Sequence, residues 1–345
     1  MTTDALRARA LAEQLALAGI SPEDLLSLVT TGLSADEPGP TLAQYVARIE
    51  TQYKESTRAT YATHWRLLVE CHGERHLGDL DVDDLAEIVA EAGRRARRRR
   101  PGCSGRSAEE NCVAALRALY RRARKARLVA FDPAGELEKP RRHPSRRRAL
   151  CAAELEELWD ALGVVSRDPE LDMLLVRFHL ESGARRAGAI GLCLGDLDPL
   201  RQTIWLHEKF ERSREQPISA SLFQALVAHG ESRGATGPRD PVFRYATPDP
   251  PARAGRPLTR RHYNTLFSQL QGALAWAERM GLCAHVLRHT AGTAIERLAG
   301  QAVASAFLGH AEAGRGTTGT YTKASIHEVA AAVARLTGEP HPLAT

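Results

Sequence analysis

Between Thr41 and Phe131 the apolar positions recur at helical spacing in four runs. Leu42, Tyr45, Val46 and Ile49 mark one helix, and Tyr61, Trp65, Leu68 and Val69 a second. Asp81 is placed to cap a third, whose apolar face is Leu85, Ile88 and Val89. The capping-box spacing of Ser107-Ala108-Glu109-Glu110 predicts a fourth, running to about Arg127 with Val113, Leu116, Leu119 and Tyr120 inward. The pattern stops at Phe131-Asp132-Pro133. It resumes with Leu155, Leu158, Trp159 and Leu162, and then with a largely apolar stretch from Leu171 to Leu180 that reads as a buried helix. The period then changes. Thr203-Ile204-Trp205-Leu206 and Gln216-Pro217-Ile218 flank a polar turn and predict a short hairpin. Helices follow from Ser221, from Thr259 to about Arg279, and from Ala284 to about Leu298. Residues 234–255 form a loop rich in proline and glycine around Val242-Phe243. Ile326, Val329, Ala330 and Val333 mark a last amphipathic helix before a loose tail.

The pattern therefore predicts a mainly α fold with one small β-hairpin, an α+β domain following an all-helical one. The expected organisation is a helical appendage over 1–40, which opens a helix at Ser21-Pro22-Glu23-Asp24, and a helical domain over 41–135. A basic, proline-bearing linker over 136–149 and a second domain over 150–345 complete it.

Charge changes this picture more by its placement than by its sum of +5. Arg94, Arg95, Arg97, Arg98, Arg99 and Arg100 crowd seven positions, read here as a loop with Pro101-Gly102. Arg121, Arg122, Arg124, Lys125 and Arg127 follow at a helix end. Lys139, Arg141, Arg142, Arg146, Arg147 and Arg148 follow in the linker. One such block is ordinarily solvated surface; three of one sign between 94 and 148 point to a polyanion partner. Arg94, Arg95, Arg97 to Arg100, Arg121, Arg124, Lys125, Arg141, Arg142, Arg146 and Arg147 are the candidate DNA contacts. The six cysteines stand singly, without a Cys-x-x-Cys pair, which argues against a structural zinc or a disulfide framework and fits a reducing cytoplasm. The start, Met1-Thr2-Thr3-Asp4, lacks a signal pattern, and no run reaches the ~18 apolar residues of a membrane span. A cytoplasmic protein with no membrane partner is expected.

Candidate chemistry gathers on the helix from Ala284. Leu287, Ala291, Ala294, Ile295 and Leu298 form its apolar face, which leaves His285, Arg288, His289 and Gly292 on the other. Upstream, a buried helix ends at a glycine turn followed by an arginine pair, Ser182-Gly183-Ala184-Arg185-Arg186. Lysine stands at only five positions in the chain, against 42 arginines. Lys209, in the hairpin turn, is therefore informative, because lysine can give up a proton and arginine cannot.

These boxes resemble those of the tyrosine recombinase (phage integrase) family. The family's first box stands here as Ser182-Gly183-Ala184-Arg185 with Leu192-Cys193-Leu194-Gly195-Asp196. Its hairpin lysine matches Lys209. Its His-x-x-Arg box matches His285-Val286-Leu287-Arg288, its Leu-Gly-His box matches Leu308-Gly309-His310, and its nucleophile matches Tyr321. The order agrees over about 150–335, and 41–135 looks like the family's helical core-binding domain. Gly188 stands where the family has an acid that buttresses the first arginine, and the stretch Ala311 to Gly316 is longer than the family's.

The resemblance implies site-specific DNA recombination by strand cleavage and rejoining through a covalent 3′-phosphotyrosyl intermediate, chemistry like that of type IB topoisomerases, with no cofactor and no metal. It implies the six catalytic residues Tyr321, Arg185, Lys209, His285, Arg288 and His310. It also implies double-stranded DNA as partner, a monomer that becomes a tetramer at synapsis, and a terminal helix exchanged between protomers. The residue types suit the reaction. Tyrosine can hold the DNA covalently, two planar guanidinium groups can clamp a phosphorane, and lysine can protonate the departing 5′ oxygen.

Other readings fit fewer residues. A metal hydrolase could use His285, His289 and His310, but Val286-Leu287-Arg288 lacks the glutamate of a His-Glu-x-x-His site. Gly314-Arg315-Gly316-Thr317-Thr318-Gly319 matches a dinucleotide fingerprint literally yet follows no strand. A catalytically impaired DNA-binding protein of the same fold would need the basic blocks alone.

Overall fold

A computed structural model describes residues 15, 39–99, 104–140, 148–207, 213–246, 255–310 and 324–344. The chain divides into two compact units, Met1–His143 and Pro144–Thr345. Among the described residues no helix is long and apolar enough to cross a membrane.

The first unit is helical. Its helices are α1 (Leu42–Glu50), α2 (Glu55–His72), α3 (Val82–Arg99), α4 (Arg106–Lys125) and the single turn α5 (Pro133–Glu136). Thr41 and Gln44 close a capping box on α1, and the Asp81 carboxylate accepts the Asp84 N–H, as the sequence suggests for α3. The core comes from the periodic positions: Leu42, Tyr45, Trp65, Leu68, Leu85, Ile88, Leu116 and Tyr120. Two buried aromatics keep their polar atoms paired, Trp65 to the Ala115 carbonyl at 3.0 Å and Tyr120 to that of Leu77 at 3.2 Å.

Two local expectations need correcting. The arginine run is no loop, for α3 continues through Arg99. Its cations sit in the last turns, where the helix dipole favours them, and Glu91 lies one and two turns back to bind them. The fourth helix starts at Arg106 rather than at Ser107; its cap is Gly105, whose φ of 75° puts it in the left-handed region.

The second unit carries α6 (Ala152–Val165), α7 (Pro169–Ser182) and α8 (Arg186–Gly191). A three-stranded antiparallel sheet follows: β1 (Leu197–Asp198), β2 (Thr203–His207) and β3 (Ser213–Pro217). The hairpin thus gains a third, two-residue strand at Leu197–Asp198 that sequence reading missed, because two residues carry no periodicity. α9 (Ala220–Ser232), α10 (Arg260–Ala273), α11 (Ala275–Met280), α12 (Ala284–Leu308) and α13 (Ile326–Thr337) complete the unit. The helix expected from Thr259 to Arg279 is two, broken at Leu274. The helix expected to end near Leu298 continues to Leu308 across a break at Gly300, whose φ of 84° and ψ of 171° are not helical. The main core wraps α7, with Leu171, Leu175, Phe178, Leu206, Phe243, Tyr263 and Leu287. A second cluster joins α12 to α13 through Ile295, Val303, Phe307, Val329 and Val333.

Candidate active site

Three chain segments converge on one point: the turn after α7, the strand β3, and both ends of α12. The turn is built first. α7 ends at Gly183, whose φ of 58° is left-handed and whose N–H bonds the His179 carbonyl at 3.1 Å. A Cβ at Gly183 would lie 2.6 Å from Cε1 of Phe307, so glycine is required by conformation and by space alike. Ser182 locks the turn by donating to the Phe178 carbonyl at 2.5 Å and accepting the Ala184 N–H at 3.2 Å.

His179, fully buried, holds the far side. Its Nδ1 lies 2.9 Å from the Ala184 carbonyl and its Nε2 2.9 Å from the Tyr263 hydroxyl. The carbonyl can only accept, so Nδ1 carries the proton and Nε2 accepts from the tyrosine. Burial pushes the pKa of His179 down to about 4 and keeps the ring neutral. Arg185 emerges from this turn as the N-cap residue of α8, half-buried, with its pKa lowered by that burial.

Arg288 lies one turn into α12. The sequence puts it on a polar face, but only 3% of it is exposed. Its Nη1 donates to the Gly183 carbonyl and its Nη2 to the Leu308 carbonyl. One guanidinium thus ties the first box to the Leu-Gly-His box. Burial, then the nearby Arg185 charge, lowers its pKa to about 10, which leaves it cationic. His285 and His289 sit in edge contact on the same helix, ring centroids 4.6 Å apart. His310 follows the left-handed cap at Gly309 and faces the cluster. Burial and then Arg288, Arg185, His289 and Arg214 lower its pKa.

Arg214 was not foreseen. It lies on β3 opposite Leu206, on the face that Ile204 and Leu206 bury, with its Nη2 3.1 Å from the Ser182 carbonyl. The signal was available: pairing the hairpin puts residues 214 and 216 on the inner face, where a polar pair needs a reason.

Three of the six expected catalytic residues, Arg185, Arg288 and His310, are therefore brought together by the turn and the two ends of α12, and His285, exposed, adjoins them through His289. Lys209 and Tyr321, with the Ala311 to Gly316 stretch, lie outside the described residues. Gly188 is buried in α8. The arrangement gathers guanidinium groups near His310, beside a small polar opening lined by His289, Thr293, Glu296, Ser305 and His310; such groups are the donor set for an oxyanion with several equivalent oxygens. Among the described residues no group of three or more histidines, cysteines or acids is arranged to hold a metal ion. A larger cavity of 560 Å³ opens elsewhere, beside Tyr245 and Arg261, but its acids are engaged, Asp168 with Arg233 and Asp172 with His262.

The basic blocks are less uniform than their sequence. Glu91 binds Arg94 at 2.7 Å, Arg95 at 3.0 Å and Arg98 at 2.6 Å, and those bonds hold the Glu91 carboxyl down at about 2. Arg97 bonds the Ser104 carbonyl at 2.9 Å, and Arg99 has no carboxylate partner among the described residues. Arg121, Arg124 and Lys125 are exposed on the last turns of α4. Arg100, Arg141, Arg142, Arg146 and Arg147 lie outside the described residues.

Comparison with known proteins adds to this geometry. The model of the phage integrase family matches residues 148–328. Tyrosine recombinase XerC of Azotobacter vinelandii is 29% identical over 272 residues, 76% of this chain and 84% of that protein. Tyrosine recombinase XerD of Mycobacterium leprae is 31% identical over 271 residues, 73% of this chain and 83% of the other. Among solved structures, a lambda integrase tetramer bound to a Holliday junction superposes with a TM-score of 0.60. The identity there is 15%, over 91% of this chain and 90% of that one.

Proposed function

This chain belongs to the phage integrase family of tyrosine recombinases, and from that premise we propose that it recombines duplex DNA site-specifically through a covalent 3′-phosphotyrosyl intermediate. The observation that carries the reading is the convergence of Arg185, Arg288 and His310 in one cationic cluster beside the opening that His310 lines, held by Arg288's two bonds to the Gly183 and Leu308 carbonyls.

In the proposed reaction the scissile phosphate enters that opening. Arg185 and Arg288 bond its non-bridging oxygens, where charge builds as the phosphorus becomes five-coordinate. The Tyr321 oxygen attacks phosphorus, and His285 accepts its proton. The bond to the 5′ oxygen breaks, and Lys209 delivers a proton to that oxygen, which leaves a free 5′-hydroxyl and a 3′-phosphotyrosyl bond. His310 hydrogen-bonds the transition state. Attack by a 5′-hydroxyl of the partner strand reverses the steps and reseals the backbone, so no outside energy source enters. The exposed cations of α3 and α4 supply affinity for the phosphate backbone that is indifferent to sequence. A homotetramer at synapsis accords with the tetrameric neighbour.

The test is covalent capture on a nicked DNA substrate containing the cognate site. The wild type is expected to form the adduct, and Tyr321→Phe to form none while binding DNA within about twofold of wild type. Residual adduct in that variant would place the nucleophile elsewhere. Lys209→Arg keeps the charge but cannot release a proton, so cleavage should slow by about 10²-fold or more. A 5′-phosphorothiolate substrate, whose leaving group needs no proton, should restore it; without restoration Lys209 is not the acid.

A further inference from the structure

We propose that Arg214 is a positioning residue of the phosphate pocket, a third, half-buried guanidinium that sets the spacing and the field of the groups touching the phosphate. The inference rests on reading the Arg185–Arg288 opening as a phosphate site.

Three observations point to it. Arg214 touches both walls of the opening. Its Nη2 bonds the Ser182 carbonyl at 3.1 Å, at the base of the turn that carries Arg185. Its side chain also lies where a Cβ on Gly309 would fall, 2.5 Å from Cδ and 3.0 Å from Nε, so Gly309 rests directly on it and its charge acts on the adjoining His310. Second, no carboxylate among the described residues pairs with it. Its Nη1 finds only the neutral Gln216 side chain, and its Nε is sealed from solvent without a hydrogen-bond partner among the described residues. Third, its charge faces those of Arg288 and Arg185, and burial together with those charges drives its pKa well below the usual arginine value.

A cation half-buried beside two others is costly without an anion. β3 could remove that cost with a glutamate at position 216, and instead it offers an amide. The three cations repel one another, and a polyanionic phosphate entering among them relieves that repulsion. That is the electrostatic condition for binding the charge-dense transition state more tightly than the substrate. The position of the Ser182 carbonyl and of Gly309 against one rigid fork also fixes the distance between Arg185 and His310.

The test needs no cognate DNA. Inorganic phosphate is titrated into the full-length protein, and the His310 ring is followed by NMR to give both affinity and pKa. The charged and titratable groups facing that ring are Arg288 and His289 from α12, Arg185 from the turn and Arg214 from β3. Gln216→Glu keeps the shape and places a carboxylate on Arg214, which neutralises the field without removing the guanidinium. This variant is expected to weaken phosphate binding about tenfold and to raise the His310 pKa. Arg214→Gln should do the same, and Arg214→Lys, which keeps the charge, should hold affinity within about threefold of wild type. Unchanged phosphate affinity and His310 pKa in a folded Gln216→Glu protein would overturn the inference. A wild type that binds no phosphate would overturn the reading of the opening itself, and the inference with it.

Discussion

His179 shows how much one residue decides. It touches no reacting group in the proposed mechanism, yet it fastens the carbonyl of Ala184 to Tyr263 and so fixes the backbone from which Arg185 projects. Its neutral state is a condition of the fold. The folded pKa of about 4 lies below the ~6.5 of an exposed histidine, so the unfolded chain binds the proton more readily. The stability contributed is fully present above about pH 6.5 and is lost as pH falls towards 4, at most about 3 kcal/mol for a shift of this size. His229, pushed down to about 4 by burial in α9, adds a loss of the same sign. Urea denaturation should therefore show the stability of the second unit falling between pH 6.5 and 4. His179→Gln, which can keep both hydrogen bonds without titrating, should make that fall shallower. An equally steep fall in the variant would assign the effect to other groups.

At the scale of elements, two helices carry opposite lessons. α3 joins an amphipathic body to an arginine-rich end, and Glu91 binds three of those arginines, so the run presents fewer unpaired cations to a partner than its composition suggests. Glu91→Gln releases Arg94 and Arg98, while Arg95 stays paired with Glu70 at 2.7 Å. If α3 meets the phosphate backbone, the slope of log K against log salt for non-cognate duplex should steepen by about 1 to 2, since each added phosphate contact contributes about 0.9. An identical slope would make the run a bystander. α12 is the reverse case. Its His-x-x-Arg spacing was legible and put His285, Arg288 and His289 on one polar face, where the two histidines are exposed. Arg288 is instead buried, because α12 lies between α7 and α13 and its Nη groups find carbonyls on two other segments. A helical pattern records which residues share a face; it does not record what that face meets.

At the scale of the molecule, the C-terminal helix closes the second unit. α13 packs on α12 of its own chain through Val329, Ala332 and Val333, with Ala330 also fully buried. The tail beyond it is pinned. Glu339 accepts the Ser221 N–H at 2.9 Å, and the His341 ring meets the Gln202 carbonyl at 3.1 Å. Removing everything after Thr322 should cost on the order of 5 kcal/mol, the burial of two valines and two alanines against a core that stays behind. Chemical denaturation of the truncated protein measures it. Unaltered stability would mean that α13 does not rest on its own core in solution. If the helix is also exchanged between protomers, assembly on paired sites should fall further than binding to a single site.

The periodic apolar positions already determined the longer helices, the hairpin and their order, because burial of a helix face or strand face is a local regularity of spacing; the short α5 and α8 and the two-residue β1 carry too few positions to show one. The boxes around Arg185, His285, Arg288 and His310 could be read for the same reason, each being a short contiguous run of residue types. The exceptions are local as well: the start of α4 at Gly105, the helical arginine run, and the breaks at Leu274 and Gly300, where single positions outweigh the average pattern. Tertiary structure alone decided that Gly183 admits no side chain, since the obstacle, Phe307, lies more than a hundred residues away. It alone assembled Arg214 with Arg185 and Arg288, and it alone gave Arg288 two carbonyls to hold. Those are facts about distances between remote segments and about charge removed from water, and neither is written in the spacing of residues along a chain.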